Sequence, residues 1–411
     1  MVQTFTEKKI NNSKNNAPLS GIRILAISQF GAGPFATLLL SDLGAEIIKI
    51  EDPLTEGDVA RKVPPFAFEG DSTYFQTFNR GKKSIALDFR TIEGRKIFED
   101  LVRKSDVVFN KLRGDLPEKL GITYNTLKQI NPMIVTCSLS GFGSKGKISS
   151  KPGYDSIIQA LTGYMSLTGE INSPPIKTGV SIIDFSAGFA AALGISAALL
   201  DVKKNKIGRN VDISLFNTAI SMLTYLASWY LNHQWISEKQ NFSAHQSITP
   251  AQNYKTFDGW ITIFCAKEKF WINLVGIMEF NSLNNDERFT SFSQRRKNRK
   301  ELNEILESIF LTKTTDYWIK LFENKIPAAP ILSMEDSMDN LVEESSESFI
   351  NINHPLMGIM RFIKSPFDTE GANINNEPAP KLGQNTDEIL LTLLGYNENQ
   401  IIELKRTGII I

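Results

Sequence analysis

Histidine and cysteine are the scarce residues of this 411-residue chain. Three histidines occur, His233, His245 and His354, and none stands in a metal-ligand pair or a recognisable catalytic triad. An enzyme built on this sequence is expected to work without imidazole, and no metal site is expected. The two cysteines, Cys137 and Cys265, lie far apart in apolar, strand-like runs, which argues against a disulfide framework and a thiolate zinc site. A reducing cytoplasm is the expected compartment. Net charge is missing too: 45 Lys plus Arg balance 45 Asp plus Glu, so no global field draws the molecule to nucleic acid or to an anionic membrane. Long hydrophobic runs are few. The longest, Phe185 to Leu200 between Asp184 and Asp201, is shorter than the roughly 20 residues of a bilayer-spanning helix and reads as a buried helix. Met1 to Asn16 are polar and rich in Lys and Asn. They carry neither a secretory nor a transit pattern and read as a loose arm.

What is present suits a large core. Apolar residues make up 42% of the chain, enough for two domains or one with an insertion. From Leu19 to about Ser140, short β-rich runs (Ile22–Ile27, Glu46–Glu51, Val107–Phe109, Ile134–Leu139) alternate with helical patterns (Phe35–Leu43, Thr91–Lys104, Leu116–Gln129). That alternation predicts an α/β fold with a parallel sheet covered on both faces. Helices are expected after Asp184 and over Leu215–Leu231. Beyond Asn232 the character changes: Asn253–Phe264 reads as a hairpin through Asp258-Gly259, and Asp286–Lys300 is polar and basic. The expected partition is an arm over 1–18, a large domain over 19–228, a smaller α+β domain with its linkers over 229–345, and a return segment over 346–411.

Several motifs carry chemistry. Gly31-Ala32-Gly33-Pro34 follows a strand and opens a helix, and Glu51 ends the next strand about 20 residues on, as in a dinucleotide fingerprint. A tight strand-to-helix turn explains the same residues. Gly141 to Lys147 copies much of a phosphate-binding loop, but Ile148 replaces the magnesium-binding hydroxyl and Pro152 disfavours the helix that should follow. Basic residues gather at Arg80, Lys82 and Lys83, at Arg90, and at Lys111, Arg113 and Lys119, either to cradle phosphates or to be solvated. Asp184 precedes an apolar helix. A carboxylate nucleophile needs no general base at neutral pH, but an Asp at a helix start is also a common N-cap.

In order along the chain, these pieces resemble the family III CoA-transferases, the group containing formyl-CoA and carnitine CoA-transferases and also the α-methylacyl-CoA racemases. The resemblance rests on Leu19-Ser-Gly-Ile-Arg-Ile-Leu25, Gly33-Pro34, Gly44 to Glu51, Gly57-Asp58 with Arg61, Asn79 with Lys82-Lys-Ser84, Ser140-Gly-Phe-Gly143, Pro152-Gly-Tyr-Asp155, Asp184, His354-Pro355, Ser365-Pro-Phe367 and Pro378-Ala-Pro380. It implies a Rossmann-like large domain formed by both chain ends, a smaller domain between them, and an interlocked homodimer. It places CoA, as a substrate rather than a resident cofactor, against Gly31, Ala32, Leu87, Asp88, Arg90, Lys111, Leu112, Lys119, Tyr154 and Asp155. Asp52 departs from the pattern, standing where some members place an arginine near the CoA phosphates.

The implied reaction moves CoA from an acyl-CoA to a small carboxylic acid through an aspartyl anhydride and an aspartyl-CoA thioester on Asp184. Some members shield that intermediate with a glycine-rich loop, whereas residues 231–275 contain Gly259 alone. Three other readings are distinguishable. A racemase of the same family carries a histidine where Tyr154 stands here. A non-catalytic CoA-binding protein fits Asp52 and the missing loop, and an NAD-dependent dehydrogenase fits the glycine turn taken alone.

Overall fold

The computed structural model describes residues 17–68, 70–344, 346–367, 369 and 375–411. The expected arm falls almost entirely outside them. The chain forms two compact units, one of Met1–Ile158, Ser181–Met222 and Glu347–Ile411, the other of Gln159–Val180 and Leu223–Ser346. The bounds differ from the expected partition: 159–180 and 223–228, expected in the large domain, cluster with the second unit.

The first unit is built on six parallel strands, β1 (Arg23–Ile27), β2 (Glu46–Glu51), β3 (Lys83–Ala86), β4 (Val107–Asn110), β5 (Val135–Ser140) and β6 (Arg209–Ser214). Their spatial order is β3-β2-β1-β4-β5-β6. Parallel strands are buried on both faces, hence unbroken apolar runs such as Val107-Val-Phe109 and Ile47-Ile48. Strand order reverses beside β1, and in open parallel sheets ligands bind outside the carboxyl ends of the strands at such a reversal.

Helices α1 (Ala32–Asp42), α2 (Thr73–Asn79) and α3 (Ile92–Arg103) follow β1, the β2 loops and β3. α3 starts on Thr91, whose hydroxyl accepts the Gly94 N–H at 3.0 Å and so satisfies one of the unpaired amides of the first turn. The expected helix over Leu116–Gln129 is instead two single turns, Leu116–Lys119 and Tyr124–Leu127, separated by Gly121 at φ +61°. The C-terminal segment returns to this unit: Ile389, Leu390, Ile401, Leu404, Ile409 and Ile410 join the core of Leu25, Ile48, Ile85 and Phe98, and Asp88 N–H donates to Ile409 O at 2.9 Å.

The apolar run after Asp184 lies in α4 (Ile182–Asn205). Its buried side is lined by Ile183, Ala187, Gly188, Ala191, Ala192, Ile195, Ala198 and Val202, small residues that let α1 approach. A Cβ on Gly188 would lie 3.1 Å from Ala32 O. The expectation of a fully buried, short helix is corrected in two ways. α4 has 24 residues, long and apolar enough by length and composition to cross a membrane, and its other side exposes Leu193 (73%) and Leu200 (71%). The expected helix Leu215–Leu231 is likewise two, α5 (Leu215–Met222) and α6 (Thr224–His233), broken where Thr224 takes φ +43°.

In the second unit, β7 (Ala251–Lys255) and β8 (Trp260–Phe264) form the hairpin expected through Asp258-Gly259, and Ala328–Pro330 (β9) pairs on the far edge of β8. Helices α7 (Glu268–Ile277), α8 (Arg299–Phe310) and α9 (Thr315–Phe322) bury Trp271, Leu306, Phe310, Trp318 and Phe322 against Tyr254, Ile261 and Ile263.

Arg80, one of the cations that could have cradled phosphates, is a structural part of the first unit. Arg80 forms a two-pronged pair with Asp42 at 2.6 and 2.7 Å, and both side chains are 1% exposed. Removing one member of such a pair leaves a buried charge unmatched. Asp42→Ala is therefore expected to destabilise the fold by about 3–5 kcal/mol in urea unfolding; a loss below about 1 kcal/mol, the level of an exposed pair, would show that Arg80 is free to serve a ligand.

Candidate functional site

The site begins where α4 begins. Ser181 is the N-cap but makes no side-chain cap bond. The capping acceptor comes from upstream: Asp155 Oδ2 takes the Ile183 N–H at 2.8 Å and the Asp184 N–H at 3.2 Å. Asp155 is buried, so the pairing is made away from water. Asp184 is thus the third residue of the helix, which a bend at Gly179-Val180 leads into. With its neighbours' amides already satisfied, the half-buried Asp184 has no capping duty. Its Oδ1 is shut off from solvent and lacks a hydrogen-bond partner, the sole carboxylate oxygen in that condition among the described residues. Burial pushes its carboxyl above the usual range; Lys111 pulls it back and Asp155 adds to the rise.

Around this carboxylate lie rings. Phe185 packs edge-on to Phe35 at 5.1 Å and stacks on Phe78 at 6.0 Å, and Tyr74 meets Phe78 at 5.1 Å and Phe30 at 5.3 Å. A Cβ on Gly31 would sit 3.2 Å from the Tyr74 hydroxyl and 3.7 Å from Asp184 Oδ2, so the missing side chain at Gly31 is space that those two groups share. The Tyr74 phenol is pushed up to about 12, by burial first and then by the charges of Asp184 and Asp58. It stays protonated and able to donate. Gly33 answers a different demand: a Cβ there would meet the Lys111 and Ser28 side chains at 2.7 and 2.8 Å.

The loop Ser28–Gly31 is held from beneath by a buried polar network. Asp58 Oδ1 accepts the Phe30 N–H at 3.0 Å, fixing a residue whose φ is +68°, a strained value for a bulky side chain. Lys49 Nζ donates to Ser28 O at 2.6 Å and to Asp58 Oδ2 at 2.8 Å. Asp58 N–H donates to Glu51, which Arg61 grips with two hydrogen bonds of 3.0 and 2.7 Å and Ser84 with one of 2.7 Å. Burial alone would push the Glu51 carboxyl up; the Arg61 hydrogen bond, with the charges of Lys49 and Arg61 and the Ser84 hydroxyl, holds it below its usual value. These are the Gly57-Asp58, Arg61 and Lys82-Lys-Ser84 motifs, whose roles sequence reasoning left blank.

The expected CoA residues fall into two groups. Gly31, Lys111, Tyr154 and Asp155 gather near Asp184, with the Lys111 ammonium 5.9 Å from the Tyr154 ring. Ala32 is fully buried against α4. Leu87, Asp88, Arg90 and Leu112 line a cavity at the carboxyl ends of β1, β2, β3 and β4, together with Ser28, Gln29 and Asp52. Lys111 and Leu112 are consecutive, so one strand end serves both groups. Lys119 joins neither; it is exposed and paired with Asp115 at 2.7 Å.

The basic residues read as either a phosphate cradle or solvated charges mostly have partners within the protein. Besides Arg80, Lys82 is buried and donates to Pro34 O, Thr37 Oγ1 and Asn79 Oδ1, while burial drives its ammonium well below the ordinary value. Lys83 pairs with Glu46 and Glu388, Arg113 with Asp115, and Arg90 with Asp52 and Asp88. Each partner is distant in sequence or ambiguous from spacing. The near P-loop is irregular, and no helix follows Lys147 directly. His354 Nδ1 accepts the Leu356 and Met357 amides in the turn of a separate hairpin, Phe349–His354 with Gly358–Ile363, and His233 and His245 belong to the second unit. Tyr74 was missed: nothing in Ser72-Thr-Tyr74-Phe marks it without the fold.

Similarity to known proteins extends over nearly the whole chain. The model of CoA-transferase family III matches residues 19–386. The succinyl-CoA:glutarate CoA-transferases of Mus musculus and Homo sapiens are 36% and 33% identical to the chain, covering 99% of it and 93% of each relative. The succinate–glutarate CoA-transferase of Agrobacterium fabrum is 30% identical over 92% of the chain and 96% of its own length. Among solved structures, a CAIB/BAIF family protein from Brucella suis is 32% identical with a TM-score of 0.78, covering 92% of this chain and 100% of its own. The chain belongs to CoA-transferase family III.

Proposed function

We propose that this CoA-transferase moves CoA from succinyl-CoA to a C4–C5 dicarboxylic acid, with Asp184 as the nucleophile. The observation that carries the assignment is the unpartnered, solvent-shielded Oδ1 of Asp184 beside a glycine that leaves room for a reacting carbonyl. The substrates are those that relatives are named for: succinyl-CoA and glutarate in the mouse and human proteins, succinyl-CoA and mesaconate in Haloarcula hispanica. The doubly wound order of the sheet supports a Rossmann-like reading of the first unit, with CoA running from the strand-end cavity to Asp184. The exposed apolar side of α4 supports a homodimer, since patches of this kind mark protein contacts. Sedimentation velocity is expected to give a dimer, and a monomer at micromolar concentration would remove that part.

In the proposed reaction an Asp184 oxygen attacks the thioester carbonyl, the C–S bond breaks, and CoA leaves as thiolate while an aspartyl-acyl anhydride forms. The thiolate then attacks the Asp184 carbonyl carbon, releasing the donor acid as carboxylate and leaving an aspartyl-CoA thioester. The acceptor carboxylate attacks that thioester to give a second anhydride and free thiolate. Finally the thiolate takes the acceptor's acyl carbon and Asp184 regains its carboxylate. No water enters and no net proton is moved. The Phe35, Phe78 and Phe185 rings serve dryness, and Tyr74 Oη is the proposed hydrogen-bond donor to the oxyanion.

A racemase requires an acid/base pair able to exchange an α-proton. Asp155 already accepts two amides, and Tyr154 stands where racemases carry a histidine, so transfer is the better-supported reading.

Asp184→Asn is expected to lower transfer about a thousandfold or more and to abolish a hydroxylamine-sensitive mass adduct on its peptide after incubation with succinyl-CoA. The same variant separates catalysis from capping. A carboxyl whose folded-state pKa is raised costs stability once pH exceeds that value, so the melting temperature at pH 7 should rise; a lost cap would lower it. An unlabelled peptide during active turnover would refute covalent catalysis.

The acid limb of kcat/KM gives a separate check. Asp184 must be ionised to attack, so activity should fall as pH drops through its raised pKa. Because the Lys111 charge opposes that rise, Lys111→Met should move the limb to higher pH. A limb that stays in place would mean that another group controls it.

A further inference from the structure

The cavity at the strand ends has an unusual charge balance for a CoA site. Apolar walls come from Ile27, Ile50, Leu87, Phe89, Leu112 and Leu120, a surface suited to one face of a purine. Among the described residues its one lining cation is Arg90. That guanidinium is already held twice, Nε donating to Asp88 Oδ1 at 2.7 Å and Nη2 paired with Asp52 Oδ2 at 2.9 Å. The other lining carboxylates, Glu51 and Asp58, are consumed by Arg61, Ser84, Lys49 and backbone amides. The lip of the cavity therefore presents one cation against two carboxylates.

A phosphate dianion brought to Arg90 meets a charge already answered by Asp88 and Asp52 and has to face both carboxylates. A ribose hydroxyl meets the opposite situation, because an ionised carboxylate is an acceptor with spare lone pairs. In dinucleotide sites an acidic side chain near the end of the second strand takes ribose hydroxyls, whereas an arginine there accommodates a ribose phosphate. Asp52 directly follows β2. Its other oxygen, Oδ1, accepts the Leu54 N–H at 2.9 Å, which holds the carboxylate in place.

We propose that this cavity reads the adenosine end of CoA through the free ribose 2′-hydroxyl and gains nothing from the 3′-phosphate, with Asp52 as the residue that sets this specificity. The substrate class is then acyl thioesters of CoA and of 3′-dephospho-CoA alike. The proposal rests on the reading that this cavity holds the adenosine of CoA.

The test compares CoA with 3′-dephospho-CoA on the intact chain, by calorimetric titration and by kcat/KM of the succinyl thioesters. Wild type is expected to bind and use the two within about threefold of each other. Repulsion between a 3′-phosphate and the two carboxylates is screened by salt, so added NaCl should improve CoA relative to dephospho-CoA. Asp52→Asn keeps an oxygen for the Leu54 amide while removing one charge, and should shift preference toward CoA by about three- to tenfold. Dephospho-CoA bound more than about a hundredfold more weakly than CoA by wild type would overturn this proposal and leave the CoA site standing. Binding of neither molecule would overturn both, because the cavity would then not be a CoA site.

Discussion

The carboxylate of Asp155 occupies the amides at the start of α4, and the character of Asp184 follows from that substitution. An acidic residue in the first turn of a helix ordinarily earns its place by answering unpaired N–H groups and the helix dipole. Here a buried residue 28 positions upstream does so, and Asp184 is left inside the first turn with an oxygen that nothing satisfies. A buried acceptor without a partner costs about 1–3 kcal/mol, and more when charged. Such costs persist where a fold holds them in place for function. The helix dipole and Lys111 favour the anion while desolvation opposes it, and no direct bond holds Oδ1 that an attack would have to break.

The same logic runs through the loop opposite. Phe30 sits at a φ that a bulky residue avoids, held by the Asp58 carboxylate, which is held by Lys49, while Glu51 and Arg61 lock the turn that carries Asp58. Buried ion pairs of this kind contribute little net stability, because desolvation offsets most of the attraction. What they supply is position. The network fixes the backbone from Ser28 to Gly31, and with it the space at Gly31 between Tyr74 and Asp184 where the proposed reaction would seat a carbonyl. Rigid first elements of this kind are what separate a site from a coincidence of residue types.

Much of the fold was legible because local pattern and tertiary role agree. β-branched runs such as Glu46–Glu51 and Val135–Ser140 became parallel strands within a residue or two of expectation, and the hairpin at Asp258-Gly259 turned where its turn residues demanded. The misreadings lie where one backbone angle overrides a good helical pattern, at Gly121 and at Thr224. Of the site, Asp184 and Asp155 were readable only through the resemblance, since an Asp at a helix start is ambiguous by itself. The role of Asp155 as a remote cap, and the nearness of Tyr74 to Asp184, join residues 28 and 110 positions apart in sequence, and no periodicity reports such pairings.

Charge was the least legible property, because a cation's sequence neighbours do not reveal its partner. Arg80, Lys83, Arg90, Arg113 and Lys119 all find carboxylates, and Lys82 is enclosed by neutral acceptors. Lys111 differs: it has no carboxylate within ion-pair distance among the described residues, and its charge is felt at Asp184. In the proposed reaction a single uncommitted ammonium beside Asp184 has two effects that more cations would spoil. It opposes the rise that desolvation imposes on the Asp184 carboxyl, and its limited strength would leave the carboxylate basic enough for the proposed attack on a thioester. A full salt bridge would have held the anion more firmly and, by the same energy, made it a poorer nucleophile.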